Sequence, residues 1–127
     1  MLPRSNEPVF VISVAARLVE MHPQTLRKYE REGLIAPSRT SGNLRLYSDR
    51  DIERLRQVKY LVEEQGLNLA GVQIALEMTR SLIDLRTRLV SMLGDCTAQH
   101  GAELEASIRH LDHSLRLLGY VSLRDRS

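Results

Sequence analysis

The sequence predicts a mainly α-helical fold with one small β-hairpin, and three observations lead to this prediction. Leu, Ile, Val and Ala dominate the apolar residues, whereas the 127 residues include only 1 Phe, 4 Tyr and no Trp, a composition that suits packed helices better than a large sheet. Apolar residues recur at every third or fourth position through most of the chain, which is the period of an α-helix. Turn residues separate two short alternating runs around Gly42, so we expect one hairpin there.

Two short helices are predicted near the N-terminus, after a flexible lead over residues 1–10. Ser13 can cap the first helix, which ends where the chain turns near Met21. Pro23 suits the first turn of a second helix, and Gly33 suits the position just past its end. Two short helices joined by a turn of about three residues form a helix-turn-helix, whose second helix can enter the major groove of DNA.

The hairpin follows the second helix directly. Turn residues occupy positions 41–43, and in the run 44–47 leucines alternate with Arg45 and Tyr47, as expected of a half-buried strand whose leucines face inward. A hairpin in this place is a wing, which can reach the DNA backbone or an adjacent groove through Arg39 and Arg45. The structural alternative is that Arg45 pairs with a carboxylate on the surface of the same domain.

Two further helices complete a domain that we expect to span residues 11–79. Ser48 and Asp51 have the form of a capping box at the start of a third helix, which ends near Gly66. Asn68 can cap a fourth helix that pairs with the third across a tight turn.

Residues 80–120 are predicted to form a dimerisation helix, followed by a flexible tail over 121–127. A narrow apolar stripe runs along this segment and changes register across the polar stretch 95–103. Such a stripe needs a partner helix, so we expect a coiled coil between two copies of the chain. The glycines Gly94 and Gly101 leave open either one long helix with a weak centre or a bend that returns the chain on itself, and we favour the long helix. The stripe comprises Leu82, Leu85, Leu89, Met92, Cys96, Leu104, Ile108, Leu111, Leu115 and Leu118.

The two halves of the chain differ in charge. Residues 1–60 contain 11 basic and 7 acidic side chains, whereas residues 61–127 contain 7 basic and 9 acidic ones, which gives net charges of +4 and −2. A basic first half favours a contact with nucleic acid in the helix-turn-helix segment.

Several classes of protein are disfavoured by what the sequence lacks. Cys96 is the only cysteine, which excludes an intramolecular disulfide and multi-cysteine metal ligation and suits a reducing cytoplasm. Neither an apolar leader nor a stretch of about 20 apolar residues is present, so we expect a cytoplasmic, nucleoid-associated protein that does not contact the membrane. The pairs Cys96/His100 and His110/His113 have helical spacing, but two ligands without a third are a weak metal site, so no cofactor is expected.

The sequence resembles the DNA-binding domain of the MerR family over residues 12–78. The family's motifs for the second helix, the wing and the third helix appear here as TLRKYEREGL, PSRTSGNLRLY and DIERL, in the same order and spacing. Within that family, the run VFVISVAARLVEMHPQTLRKYEREGLIAPSRTSGNLRLYS and the later GLNLAGVQ are most similar to the HspR-type heat-shock repressors. Two departures from the family pattern are Lys28, in place of the first of two aromatic residues, and Asn43-Leu44, in place of Gly-Tyr before the wing arginine.

The resemblance implies a winged helix-turn-helix regulator that acts as a homodimer on an inverted-repeat operator. Its two DNA-binding domains would be held apart by an antiparallel coiled coil. HspR-like proteins resemble repressors of chaperone genes, with the DnaK chaperone as co-repressor, which implies a protein partner rather than a small ligand. The candidate DNA contacts lie on the second helix and the wing, and they are Gln24, Thr25, Arg27, Lys28, Tyr29, Arg31, Arg39, Arg45 and Tyr47.

Other interpretations stay open at this point. In the simpler interpretation, Arg27 and Lys28 are ordinary solvent-exposed charges that do not contact DNA. Tyr29 can either donate its hydroxyl to a phosphate or pack half in the core. The whole chain could instead be a ligand- or metal-responsive activator, or a helical adaptor or architectural DNA binder. An enzyme is the least favoured class, because no carboxylate pair, nucleophile with a base, or phosphate-binding glycine loop is recognisable.

Overall fold

In the computed structural model, which describes residues 6–121, helices form most of the described chain, and a small antiparallel sheet and connecting loops form the rest. The predicted mainly α-helical fold with a small hairpin is confirmed. The elements are β1 (Phe10–Val11), α1 (Ile12–Val19), α2 (Pro23–Arg31), β2 (Ser38–Arg39), β3 (Arg45–Tyr47), α3 (Asp49–Lys59), a π-helical turn that continues α3 (Tyr60–Glu64), α4 (Leu69–Leu93) and α5 (Ala98–Leu117).

The helix-turn-helix consists of α1 and α2. Ser13 does not cap α1 as predicted, because β1 pairs with β3 and the chain passes from strand to helix at Val11, which makes no side-chain capping bond. The cap of α2 is His22, whose Nδ1 accepts a hydrogen bond of 3.1 Å from the backbone N–H of Gln24. Pro23 is the first residue of α2, as predicted.

The sheet has the strand order β1-β3-β2, and both pairings are antiparallel. Strands β2 and β3 form the predicted hairpin, in which Arg39 lies opposite Arg45. At its turn the backbone of Asn43 has a φ of 67°, a left-handed conformation that asparagine tolerates better than most residues. The hairpin therefore projects as a wing beside α2.

Helices α3 and α4 begin as the sequence predicts. In the capping box, the N–H of Asp51 donates to the Ser48 hydroxyl at 3.1 Å, and the N–H of Ser48 donates to the Asp51 carboxylate at 2.9 Å. The side chain of Asn68 caps α4 by accepting a bond of 2.9 Å from the N–H of Gly71. Together with α1, α2 and the sheet, these helices enclose a core whose largest fully buried side chains are Tyr47, Leu26, Leu55, Leu61, Val58 and Val72.

The C-terminal segment is a helical hairpin, so the expectation of one long helix over residues 82–118 is wrong. Helix α4 ends at Leu93, and Thr97 starts α5 by accepting a hydrogen bond of 3.3 Å from the N–H of His100. Helix α5 returns along α4, and Arg86 and Asp112 form an ion pair of 2.6 Å between the two helices. The bend falls at residues 94–97, where glycine and capping residues favour a break, rather than at Gly101.

The predicted dimerisation stripe is divided by this bend. Ile108, Leu111 and Leu115 are buried within one chain, whereas Leu85 and Met92 on α4 are 39% and 53% exposed. The remaining stripe residues are half-buried, and they are Leu82, Leu89, Cys96, Leu104 and Leu118. Part of the stripe therefore finds its apolar partner inside the chain. No helix in the described part of the chain is long and apolar enough to cross a membrane.

Candidate nucleic-acid interface

Helix α2 presents a polar, basic face outward because its apolar residues are confined to one side. Leu26 and Tyr29 are three positions apart and are 0% and 8% exposed, so this side of the helix packs into the core. The candidate contacts on the other positions of α2 are accessible: Gln24, Lys28 and Arg31 are exposed, and Thr25 and Arg27 are half-buried. The surface of α2 can thus offer cationic and hydrogen-bonding groups to a DNA groove.

The wing is attached to α2 by Glu30. The Nε of Arg45 donates to one carboxylate oxygen of Glu30 at 2.6 Å, and the Nη2 of Arg39 donates to the other oxygen at 2.9 Å. Both wing arginines are therefore brought to the edge of α2. The structural alternative for Arg45, a pairing with a carboxylate of its own domain, is also observed.

The carboxylate of Glu30 is held in its charged form by these contacts. Its partial burial alone would raise the pKa, but the hydrogen bonds from Arg45 and Arg39 and their positive charges outweigh burial and lower the pKa below its ordinary value. At neutral pH the three side chains together carry one net positive charge.

The tip of the wing is ordered by its own hydrogen bonds. The N–H of Thr40 donates to the carbonyl of Leu44 at 2.9 Å, and the N–H of Leu44 donates to the Thr40 hydroxyl at 3.1 Å. The Nη1 of Arg39 also donates to the carbonyl of Asn43 at 3.3 Å. This network leaves the side chain of Leu44 63% exposed at the tip.

Tyr47 in β3 and Leu44 just before it lie on the sides opposite to those that the alternating pattern suggested. We expected the leucines inward and Arg45 and Tyr47 outward, but Tyr47 is fully buried and Leu44 is exposed. Burial raises the pKa of the Tyr47 hydroxyl. Because the side chain cannot reach DNA without opening the core, we assign Tyr47 to the core rather than to the interface.

Three cations of α3 donate hydrogen bonds to backbone carbonyl groups of α1 and of the loop that follows α2. The Nη2 of Arg56 donates to the carbonyl of Leu18 at 3.1 Å, and the Nζ of Lys59 donates to that of Val19 at 3.2 Å, both in the last turn of α1. The Nε of Arg54 donates to the carbonyl of Leu34 at 2.5 Å, and burial lowers the pKa of this guanidinium. Cations at a helix C-terminus stabilise its unpaired carbonyls, so Arg56 and Lys59 fix the end of α1, and Arg54 fixes the loop that follows α2.

Sequence reasoning missed Glu30 and His22. The hairpin contains a signal for Glu30, because Arg39 and Arg45 lie opposite each other in it and like charges in that position destabilise a sheet. A carboxylate close enough to pair with both arginines was therefore to be expected. His22 gave no such signal, since a histidine is seldom chosen as a helix cap.

The described residues contain no group of three or more His, Cys, Asp or Glu side chains that could hold a metal ion. Cys96 is half-buried, and its Sγ lies 3.2 Å from the carbonyl of Leu93 beside the bend. The two pairs with metal-ligand spacing thus have no third ligand within residues 6–121.

The family model described as MerR HTH family regulatory protein matches residues 10–79, which include the helix-turn-helix, the wing, α3 and the first part of α4. The chain belongs to the MerR family. It is therefore a DNA-binding transcriptional regulator, and its relatives regulate transcription rather than catalyse reactions.

The chain is 42% identical to the heat shock protein HspR of Streptomyces coelicolor over 124 residues, which cover 96% of this chain and 82% of that protein. It is 39% identical to the transcriptional regulator GlnR of Bacillus anthracis over 75 residues, which cover 59% of this chain and 57% of GlnR. A solved structure, that of the transcription regulator PbrR691 from Ralstonia metallidurans in complex with lead(II), aligns at 26% identity and a TM-score of 0.46, over 87% of this chain and 80% of that one.

Proposed function

We propose that this MerR-family regulator represses heat-shock or chaperone genes by binding an inverted-repeat operator as a homodimer. The observation that carries the proposal is the extent of the similarity to HspR. That similarity spans 96% of the chain, and so includes the C-terminal hairpin, whereas the similarity to GlnR covers 59%. The part that distinguishes one MerR regulator from another is thus also HspR-like. A DNA-binding repressor of this kind acts in the cytoplasm, at the nucleoid.

In this proposal α2 lies in the major groove and the wing lies over the flanking backbone. Arg27, Lys28 and Arg31 supply cations from α2, and Arg45 supplies one from β3. Phosphate contacts fix the register of the protein on DNA, and contacts to base edges select the sequence. Gln24 and Thr25 lie in the first turn of α2. Recognition helices contact base edges through their N-terminal residues, which supports a base-reading role for these two side chains.

A homodimer requires an exposed surface that a second copy can cover. Ile74, Met78, Leu85 and Met92 are 59%, 51%, 39% and 53% exposed, and their spacing places them along one side of α4. We assign this α4 face to the second copy, in place of the single stripe predicted from the sequence. The partner helix would then set the distance between the two DNA-binding domains, and hence between the operator half-sites.

A protein co-repressor belongs to the same proposal. HspR-type regulators suggest the DnaK chaperone for this role. Repression would then depend on the amount of free chaperone. The resemblance to HspR supports this partner. No contact among residues 6–121 points to a particular surface for it.

The proposal is tested by selecting binding sites from a randomised DNA library and comparing them with the DNA upstream of chaperone genes. We expect an inverted repeat that also occurs in those promoters, bound about a thousandfold or more tightly than scrambled DNA, and protected more strongly when DnaK is added. Equal binding to the selected and the scrambled duplex would show an architectural DNA binder instead.

The interface itself is tested with Arg27→Ala and Lys28→Ala. Each change should weaken binding and lower the slope of log affinity against log salt by about one, if its cation contacts a phosphate. The matched control is Arg109→Ala, which removes an exposed cation from α5. If the control weakens binding as much as the α2 variants, the interface is misplaced.

A further inference from the structure

We propose that Glu30 is a positioning residue that sets the sequence specificity of this regulator by fixing the guanidinium of Arg45. The inference rests on the proposed roles of α2 and the wing in DNA binding. Glu30 does not touch DNA in this proposal, and it acts through the arginine that does.

The need for a carboxylate follows from the register of the wing. Arg39 and Arg45 are directly opposite each other in the β2–β3 pair, and two like charges in that position repel. Glu30 is placed in the last turns of α2, and each of its two carboxylate oxygens accepts from one arginine, at 2.9 and 2.6 Å. One side chain of the recognition helix thereby holds both strands of the wing.

The two arginines are not held in the same way. Arg39 donates through both terminal nitrogens, with Nη1 on the carbonyl of Asn43 and Nη2 on Glu30. Arg45 donates to Glu30 through Nε, and within residues 6–121 its terminal nitrogens make no hydrogen bond. Both terminal nitrogens of Arg39 are therefore bonded within the domain. The terminal nitrogens of Arg45 form the edge that binds a phosphate or a guanine with two parallel hydrogen bonds.

The hydrogen bond from Nε of Arg45 to Glu30 determines the direction in which the terminal nitrogens of Arg45 point. The guanidinium group is planar, so a short hydrogen bond at Nε restricts rotation of the whole plane. Because the acceptor belongs to α2, the edge of Arg45 is held at a set distance from the side chains that read the major groove. DNA whose groove and backbone match this distance gains the contact, and other DNA does not.

The charge of Glu30 acts in the same direction. It cancels one of the two positive charges of the wing, which lowers the affinity for arbitrary DNA, where binding is almost entirely electrostatic. The simpler alternative is a surface ion pair that serves only stability. That alternative predicts no loss of specificity in Glu30→Asp, which keeps the charge, as long as the protein stays folded.

The test compares Glu30→Gln and Glu30→Asp with the parent chain, on a duplex that the parent selects from a randomised library and on a scrambled duplex of the same composition. Affinities are measured over a series of salt concentrations. E30Q should bind scrambled DNA more tightly with a salt slope steeper by about 0.9, the value for one additional phosphate contact. Its ratio of selected to scrambled affinity should fall about tenfold, as expected for the loss of one bidentate arginine contact.

E30D separates charge from geometry. It keeps the carboxylate but is one methylene shorter, so it cannot reach both arginines at hydrogen-bond distance. Its salt slope should match that of the parent, while its ratio falls as in E30Q. E30D also serves as the second variant if E30Q melts at the assay temperature. Arg45→Lys keeps the charge but loses the bidentate edge itself, so its ratio should fall at least as far as that of E30D.

The matched control is Glu103→Gln, which makes the same change of charge on an exposed position of α5. If E30Q gives the same slope and ratio as E103Q, the proposed role of Glu30 is wrong. The slope on scrambled DNA measures the charge contribution of Glu30 separately from its effect on specificity. A parent ratio near one would contradict the proposed function instead, so the two failures are distinguishable.

Discussion

Gln57 and Thr79 are joined by a hydrogen bond of 2.8 Å from Nε2 to Oγ1, in the core, where each residue is 4% exposed. The same Nε2 donates to the carbonyl of Leu118 at 3.0 Å, and the Thr79 hydroxyl donates to the carbonyl of Ala75 at 2.8 Å. One amide thus connects α3, α4 and the residue that follows α5. Through this contact the C-terminal hairpin is held on the DNA-binding domain.

Gln57→Leu should lower the free energy of unfolding by about 1–3 kcal/mol, because the buried hydroxyl of Thr79 and the part-buried carbonyl of Leu118 both lose their donor. Urea denaturation measures this loss, and hydrogen exchange should quicken at the end of α5. Gln65→Leu is the matched control, since its amide donates to the Tyr60 hydroxyl at 2.8 Å on an exposed surface, and it should change stability by less than about 0.5 kcal/mol. Equal stability of Gln57→Leu and the parent would contradict the role of Gln57.

Tyr47→Phe should raise the free energy of unfolding by about 1 kcal/mol, because the buried hydroxyl has no hydrogen-bond partner among the described residues and is costly to desolvate. DNA affinity should be unchanged. Thermal melts and a binding titration check both statements. Weaker binding by Tyr47→Phe would restore the hydroxyl as a DNA contact and would show that the assignment of Tyr47 to the core is incomplete.

Leu85→Asp should convert a dimer into a monomer, because it places a charge in the centre of the α4 face without disturbing the core. Analytical ultracentrifugation measures the mass, and circular dichroism should show unchanged helix content. Thr87→Asp, exposed on the other side of α4, is the control and should stay dimeric. Ile108→Asp, at a position 9% exposed inside the hairpin, should instead lower the melting temperature. If Leu85→Asp remains dimeric, the dimer uses another surface.

Stability should depend on the ionisation of Glu30 in acid. Its pKa in the folded protein lies below the ordinary value of 4.5, so its ion pairs stabilise the fold above that pH and are lost as the pH falls through the lowered pKa. The difference in free energy of unfolding between the parent and Glu30→Gln should therefore shrink below pH 4.5. A difference that stays constant from neutral pH to strong acid would show that the carboxylate does not contribute through its charge.

Local chemistry was enough to predict most of the fold. The capping box at Ser48 and Asp51, the cap at Asn68, and Pro23 at the start of α2 depend on residues within four positions of each other, so the sequence contains the whole interaction. The outward residues of α2 were predicted for the same reason, since helical spacing separates them from Leu26 and Tyr29.

What the sequence by itself determined is therefore the helix-turn-helix, the hairpin, the starts of the third and fourth helices and the basic character of the first half. The tertiary structure decided which side of each element is covered. A strand pattern of period two defines two faces without saying which one packs inward, and so Tyr47 and Leu44 exchanged their expected places. An apolar stripe likewise requires a partner without naming it, and the break at residues 94–97 gave part of that stripe a partner within the same chain. Glu30 shows the same limit, because its two arginines are 9 and 15 positions away along the chain and meet it only when the wing packs against α2.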